Sequence, residues 1–421
     1  MSRTKKFKMT DLGPIPDDWE VRSMGEHSSI ARGGSPRPID AYLTTSASGV
    51  NWIKIGDSSV GGKYIYRTAE KIISEGVARS RLVHSGDLLL SNSMSFGRPY
   101  ILKIDGCIHD GWLVIQDYKE VFDTEFLYYV LGIPLTTNQY RALAAGSGVQ
   151  NLNKELVANV SIIVPKDISE QRRIAAALSD ADELIASLTE LLEKKRNLKK
   201  GAMQQLLTGK RRLPGFNGKW VEKEVGSLGT TYNGLTGKTK ADFGNGNARY
   251  VTFLNVLNNP AVTEKEFEFV RVGLGERQNL VKKGDLFFNT SSETPEEVGI
   301  ASTILDDYDD LYLNSFCFGF RFFENAGWPL FYSYWFRSQK GRDLMSALAQ
   351  GSTRFNLSKD SFREAVIYVP PALEEQRAIA EVLSDMDEEI VEIEAEIDKA
   401  KNLKTGMMQQ LLTGKVRLEV A

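Results

Sequence analysis

Cysteine and histidine are scarce in this chain, with two and three residues among 421. Cys107 and Cys317 each sit inside an apolar run, so they read as small buried core residues, and a disulfide framework is excluded. His27, His84 and His109 are scattered, without the spacing to each other or to cysteine that a zinc site needs. No apolar run approaches the length of a membrane span. The segment Met1 to Lys8 is basic but lacks the apolar stretch of a secretory signal, so a cytoplasmic protein is expected. Charge of one sign is also lacking. A net charge of −3 argues against a free-standing, non-specific nucleic-acid binder, but leaves room for local basic patches.

Catalytic signatures are missing too. Gly234-Leu-Thr-Gly-Lys-Thr239 invites a phosphate-loop reading, but the glycine required five places before Gly237 is Tyr232. Asn259-Pro260 is followed by Ala261, which breaks a methyltransferase signature. No nuclease-like acidic pair with a following Glu-x-Lys lies near Pro16-Asp17, and the acidic runs Asp306 to Asp310 and Asp385 to Glu389 read as solvated faces. No nucleophile with a base can be nominated, so the chain reads as a binder and not as an enzyme, with no cofactor of its own.

What the chain does have is a duplication. The stretch from Glu170 to Leu213 returns at a constant offset of about 205 residues, with about 26 of 44 positions identical. Glu-Gln-Arg at 170–172 returns at 375–377, and Met-Gln-Gln-Leu-Leu-Thr-Gly-Lys at 203–210 returns entire at 408–415. Weaker echoes pair Trp19 with Trp220, Gly25 with Gly226 and Gly33 with Gly234. Apolar residues in the duplicated stretch step by four and three. Ile174, Leu178, Ile185 and Leu188 make one seam, and Ile379, Leu383, Ile390, Ile393 and Ile397 the other. About 38 helical residues span about 57 Å. Each helix is expected to be polar on its outer face and to pair with the other copy in the antiparallel sense. Asp167 with Glu170 suggests a capping box, and Gly209 and Gly414 are expected stops.

The remaining segments carry short β-like runs punctuated by glycine and polar clusters, among them Trp52 to Ile55 and Tyr250 to Leu254. Val-x-x-Gly-Asp-Leu at 83–88 and 281–286 predicts a turn feeding a buried strand, and helices are predicted at Thr124 to Leu131 and Pro329 to Ala349. The expected fold is α+β. Two pseudo-symmetric mixed α/β domains, 1–165 and 213–370, are separated by two long antiparallel coiled-coil helices, 166–212 and 371–421.

Val164-Pro-(x4)-Glu-Gln-Arg-x-Ile-Ala175 and Val369-Pro-(x4)-Glu-Gln-Arg-x-Ile-Ala380 each open a long helix, and each helix closes on Leu-Leu-Thr-Gly-Lys. With these motifs, and with Gly34-Ser-Pro36, Trp52 to Asp57 and Gly146 to Leu152, the chain resembles the specificity subunit of a Type I restriction-modification system along its whole length. The second half departs from two landmarks: no proline answers Pro36 near Gly237 to Thr239, and Tyr250 to Asn255 replaces the Trp-containing strand.

The resemblance implies two target-recognition domains, each reading one half of a split double-stranded DNA site, with the helices fixing the gap. It implies two modification subunits that use S-adenosylmethionine to methylate adenine N6, and restriction subunits that use ATP and Mg. No membrane partner is implied. The rival reading is a non-catalytic coiled-coil adaptor whose two globular domains bind proteins. Polar, glycine-rich loops favour DNA. Arginine suits guanine, while asparagine and glutamine suit adenine. The candidate DNA contacts in the first half are Arg32, Ser35, Arg37, Lys54, Ser91, Asn92, Ser93, Arg98, Gln150, Asn151 and Asn153. In the second half they are Asn233, Lys238, Lys240, Asn289, Thr290, Ser291, Ser292, Arg354 and Asn356. With a net charge near zero, the isolated chain is expected to bind DNA only modestly.

Overall fold

Two stretches of 39 helical residues, Ile168–Leu206 and Leu373–Leu411, organise the computed structural model, which describes residues 6–59, 61–92, 96–144 and 151–418. The chain divides into two compact units. One is Met1–Leu188 with Glu396–Ala421, and the other is Thr189–Ala395. Each unit therefore holds one end of each long helix, so the helices are parts of the units and not separate bodies.

Within the first unit, Ile174, Ala175 and Leu178 of the first helix share a core with Leu411 and Leu412 at the end of the second. Asp182 pairs with Lys404. Rising numbers on one helix meet falling numbers on the other, so the pairing is antiparallel. Within the second unit, Leu206 and Leu207 share a core with Ile379, Ala380 and Leu383, while Lys195 pairs with Glu389 and Arg196 with Glu394. Of the expected seam, Ile174, Leu178, Ile379, Leu383, Ile393 and Ile397 are buried, and Ile185, Leu188 and Ile390 are half-buried. The outer faces are less polar than expected. Leu184, Leu191, Leu198, Val391 and Leu403 are exposed.

In the first unit, Ser29–Arg32, Trp112–Gln116, Leu88–Ser91, Pro99–Leu102 and Tyr64–Ile65 lie side by side in one sheet. A second sheet runs Leu43–Thr44, Glu70–Ile72, Val50–Ile53, Gly106–Ile108 and Arg81–Val83. The second unit repeats the plan with fewer strands. Gly229–Asn233, Cys317–Phe322, Leu286–Asn289 and Ala301–Thr303 form one sheet, and Phe267–Val270, Phe243–Val251 and Leu311–Leu313 the other. The Val-x-x-Gly-Asp-Leu turns place Gly86 and Gly284 at positive φ immediately before the buried strands that start at Leu88 and Leu286. Both cysteines are buried and free.

Three local expectations are corrected. The helix expected from Pro329 to Ala349 is two, Pro329–Arg337 and Gln339–Leu348, because Ser338 is extended (ψ 163°) and its side chain accepts the Gly341 N–H to cap the second piece. The strand expected from Tyr250 to Leu254 stops at Val251, since Thr252 caps a short helix, Phe253–Asn258, by accepting the Asn255 N–H. Asp167 accepts the Ser169 N–H, but Glu170 does not close a capping box; its carboxylate turns to Arg417.

That contact explains the duplicated motifs. Arg417, just past the second helix, makes a two-pronged pair with Glu170 at the start of the first. Arg212, just past the first helix, does the same to Glu375 at the start of the second, at 2.5 and 2.6 Å. Gln171 accepts the Asp123 N–H and donates to the Pro165 carbonyl, and Gln376 likewise accepts from Trp328 and donates to Pro370. Glu-Gln-Arg and the chain beyond Leu-Leu-Thr-Gly-Lys are thus the two halves of a latch, made once within each unit. A second matched contact lies beside it. The Tyr129 hydroxyl donates to Asp182 (2.6 Å) and that of Tyr334 to Asp387 (2.7 Å), with Lys404 and Lys199 on the same carboxylates. Burial, reinforced by these carboxylates, pushes both tyrosine hydroxyls well above their usual range.

Candidate nucleic-acid interface

The candidate residues gather at the loop end of each unit's strands, where the same backbone bonds recur. The Gly33 N–H donates to the Trp112 carbonyl and the Gly34 N–H to Ile108; Gly234 donates to Cys317 and Leu235 to Leu313. A Cβ on Gly33 would lie 2.1 Å from the His109 carbonyl oxygen, and one on Gly234 would lie 2.1 Å from that of Asn314, so both turns need glycine. The Asn92 N–H donates to Gly111, and the Asn92 carbonyl accepts the Leu152 N–H. Thr290 repeats this between Phe316 and Leu357.

In the first unit, Ser35, Arg37 and Lys54 line one cleft of about 260 Å³, together with Trp52, Glu70 and His109. Arg37 is exposed; Lys54 Nζ lies 2.5 Å from Glu70 Oε1. Beside the cleft, Ser35 Oγ donates to Asp110 Oδ1 (2.6 Å) and Arg32 Nε donates to the Asp110 carbonyl (2.9 Å). Burial works against ionisation of Asp110, but the Ser35 hydroxyl, His109 and Arg32 outweigh it and hold the carboxyl below its usual range. His109 Nδ1 accepts the Gly111 N–H, and its Nε2 lies 2.9 Å from Asp110 Oδ1.

Ser91 and Asn92 are buried; the Ser91 hydroxyl accepts the Arg98 N–H, and the Asn92 amide donates to the Asp110 carbonyl. The Arg98 guanidinium lies over the Tyr100 ring. Asn151 is exposed, whereas Asn153 caps the helix Lys154–Ala158 by accepting the Leu156 N–H. Ser93 and Gln150 lie outside the described residues.

In the second unit, Ser291–Ser292 pairs with Phe355–Asn356 as a two-stranded ribbon, which brings Ser291, Ser292, Arg354 and Asn356 together. Arg354 is exposed, with Nε 3.3 Å from Ser291 Oγ. Ser292 donates to Glu297, and Thr290 donates to the Phe316 carbonyl. Asn289 is fully buried: its amide donates to the Glu297 carbonyl and its side-chain oxygen accepts the Ile300 N–H. Lys238 is also engaged, with its side chain 6% exposed and its ammonium on Glu276 and on the Arg271 carbonyl. Lys240 is exposed, and the Asn233 side chain accepts from Lys359.

The structure thus separates exposed donors (Arg32, Arg37, Lys240, Arg354, Asn356) from residues occupied in holding loops (Asn92, Asn153, Lys238, Asn289). It also brings in Glu70, His109 and Asp110, which no sequence motif marked, beside Trp52 of the Trp52 to Asp57 landmark. Trp52 and Glu70 meet through strand register, a long-range property that local spacing does not carry. Among the described residues no cluster of histidine, cysteine, aspartate and glutamate could hold a metal, and no helix is long and apolar enough to cross a membrane.

Comparison with known proteins places these features in one family. The Type I restriction modification DNA specificity domain matches residues 16–196 and again 217–401. Two specificity subunits of type I restriction enzymes from Methanocaldococcus jannaschii are similar along their length. MjaX is 26% identical over 99% of this chain and 98% of its own, and MjaVIII is 25% identical over 99% and 97%. The solved S subunit of a type I restriction-modification system from M. genitalium shares the fold, with 14% identity, a TM-score of 0.59, and coverage of 99% of this chain and 100% of that one.

Proposed function

The chain belongs to the Type I restriction-modification DNA specificity family, and from that premise we propose that each of its units reads one half of a bipartite, asymmetric DNA site. The observation that carries this reading is the pairing of a repeated frame with unlike linings. The same glycine turns and loop-to-strand bonds recur in both units, while the side chains they present differ: Ser35, Arg37 and Lys54 in one, Ser292, Arg354 and Asn356 in the other. A shared frame with different donors suits two different short sequences, because phosphate contacts position a protein and base contacts specify it.

In this reading the paired helices set the gap between half-sites, much as dimer geometry sets half-site spacing elsewhere. The chain is the specificity subunit and does no chemistry. S-adenosylmethionine is used by two partner modification subunits that methylate adenine N6, and ATP with Mg by restriction subunits. Leu191, Leu198 and Val391 in the second unit, with Leu184 and Leu403 in the first, give the helices uncovered apolar surface on which such partners fit. The protein-adaptor alternative has no comparable support.

The test is to co-express the chain with its modification subunit and map N6-methyladenine across the host genome. Methylation confined to one gapped motif is expected. An intact complex that methylates no gapped motif defeats the reading.

A further inference from the structure

Strand register places a carboxylate at the same position in both units. In the first, Val50–Ile53 runs antiparallel to Glu70–Ile72 and parallel to Gly106–Ile108, with Trp52 opposite Glu70 and beside Cys107. In the second, Phe243–Val251 runs antiparallel to Phe267–Val270 and parallel to Leu311–Leu313, with Tyr250 opposite Glu268 and beside Tyr312. Ile53 beside Ile108 corresponds to Val251 beside Leu313, and the turns donating to Ile108 and Leu313 are those of Gly34 and Leu235. Glu70 and Glu268 are therefore structural counterparts, each across from an aromatic residue on the neighbouring strand. No sequence repeat marks them.

Their partners differ. Glu70 is held by Lys54 at 2.5 Å, with the two side chains 37% and 34% exposed. Glu268 is exposed and accepts from the Tyr250 hydroxyl at 2.7 Å. A half-exposed ion pair contributes little to folding, and Glu268 keeps an exposed carboxylate although the Tyr250 side chain that donates to it is buried. Glu70 also shares its cleft with Arg37 and Ser35. On a surface that approaches DNA, an exposed carboxylate repels phosphate. It becomes favourable where it accepts from a base amino group, and in the major groove the amino group suited to a carboxylate is cytosine N4.

Building on the specificity reading above, we propose that Glu70 and Glu268 are specificity-determining residues, each accepting a hydrogen bond from the N4 amino group of a cytosine in its own half-site. Lys54 neutralises Glu70 while DNA approaches. On contact it is free to turn to the guanine O6 and N7 or to a phosphate. Tyr250 leaves Glu268 its negative charge, so the two half-sites are read by unlike pairs built on one position.

The test uses the full chain co-expressed with its modification subunit, with N6-methyladenine maps of the wild type, Glu70→Gln and Glu268→Gln. Each substitution is expected to relax one cytosine position in one half-site, with discrimination there falling about 10- to 100-fold. The other half-site stays unchanged and serves as the control for folding and assembly. Lys54→Met combined with Glu70→Gln removes the pair without leaving a lone charge, and should relax the same position. The inference is overturned by an unchanged consensus at full methylation, by a uniform fall at every site, or by a wild-type motif without cytosine in either half. A wild-type map with no gapped motif would instead overturn the specificity reading on which the inference rests.

Discussion

Beneath the latch the two units solve one packing problem in different ways. In the first, the Lys63 ammonium is enclosed by Tyr64, Tyr128 and Tyr129, pairs with Glu125 and donates to Ser179 (2.9 Å). The Lys63 carbonyl accepts the Ile101 N–H, and in the second unit the matching acceptor is Pro260, bonded by Thr303. There the lysine is a proline, Leu330 stands where Glu125 stood, and a cleft of about 340 Å³ opens beside Tyr334, Ser384 and Asp387. Lysine and glutamate are lost together, so no charge is orphaned. The arginine–glutamate pair of the latch recurs in both units, although Arg417 also pairs with Asp18 where Arg212 donates to the Gly218 carbonyl, while the floor differs in its core chemistry. The recurring arginine–glutamate pair is therefore expected to be costlier to break than the floor, whose charges can be exchanged together.

The largest expected effect follows from the latch. Glu375 is 1% exposed, so Arg212→Ala leaves a buried carboxylate facing only the Trp220 indole N–H. Removing one partner of a buried pair costs about 3–5 kcal/mol. Arg417→Ala should cost the first unit a similar amount by exposing Glu170 to the same fate. Urea unfolding of both variants is the measurement. A loss in one unit and none in the other would break the equivalence of the two latches.

The floor should respond differently. Lys63→Met alone leaves Glu125 without its cation and is expected to destabilise the protein by about 2 kcal/mol. Combined with Glu125→Leu, which imports the chemistry of the second unit, the loss should shrink to about 1 kcal/mol or less. A double variant as unstable as the single one would show that the two floors are not interchangeable solutions.

The same contrast explains what could be read from sequence. The long helices and their antiparallel pairing were legible because a 3.5-residue period was written twice. The latch was visible only as repeated letters. Arg212 and Arg417 stand out in sequence only as the repeated Arg-Leu two residues past each closing motif, and their partners lie 163 and 247 residues away. Polar loop residues were harder still. Asn289 and Asn153 have the composition of base readers, yet one is spent on buried backbone groups and the other on a helix cap. An asparagine that bridges loops and one that reads adenine use the same amide. Only the fold, through what lies within reach, decides between them.

That distinction sharpens into a smaller effect on binding. In the complex with the modification subunits, Arg37→Ala should weaken DNA binding and, if Arg37 meets a phosphate, lower the salt slope by about 1. Lys238→Met should leave the slope unchanged, since its ammonium is already taken by Glu276. Binding titrations at several salt concentrations separate the two. An equal fall in slope would mean that Lys238 exchanges Glu276 for phosphate on contact.

The smallest effect is in acid. Hydrogen bonds from Lys238, Gln278 and the Gly273 N–H hold the Glu276 carboxyl down at about 2, against an ordinary 4.5. A folded-state value below the unfolded one means that this group's contribution to stability is complete above pH 4.5 and is lost as pH falls towards 2. Protection from hydrogen exchange at Gly273 and Arg271, taken as the observed rate against the intrinsic rate at each pH, should therefore fall across that window. In Lys238→Met the onset should move upward in pH, because the first of the three donors is gone. Protection that stays constant from pH 5 to about 2 would show that the loop is held by its backbone bonds, among them that of Arg271 to the Asp242 carbonyl.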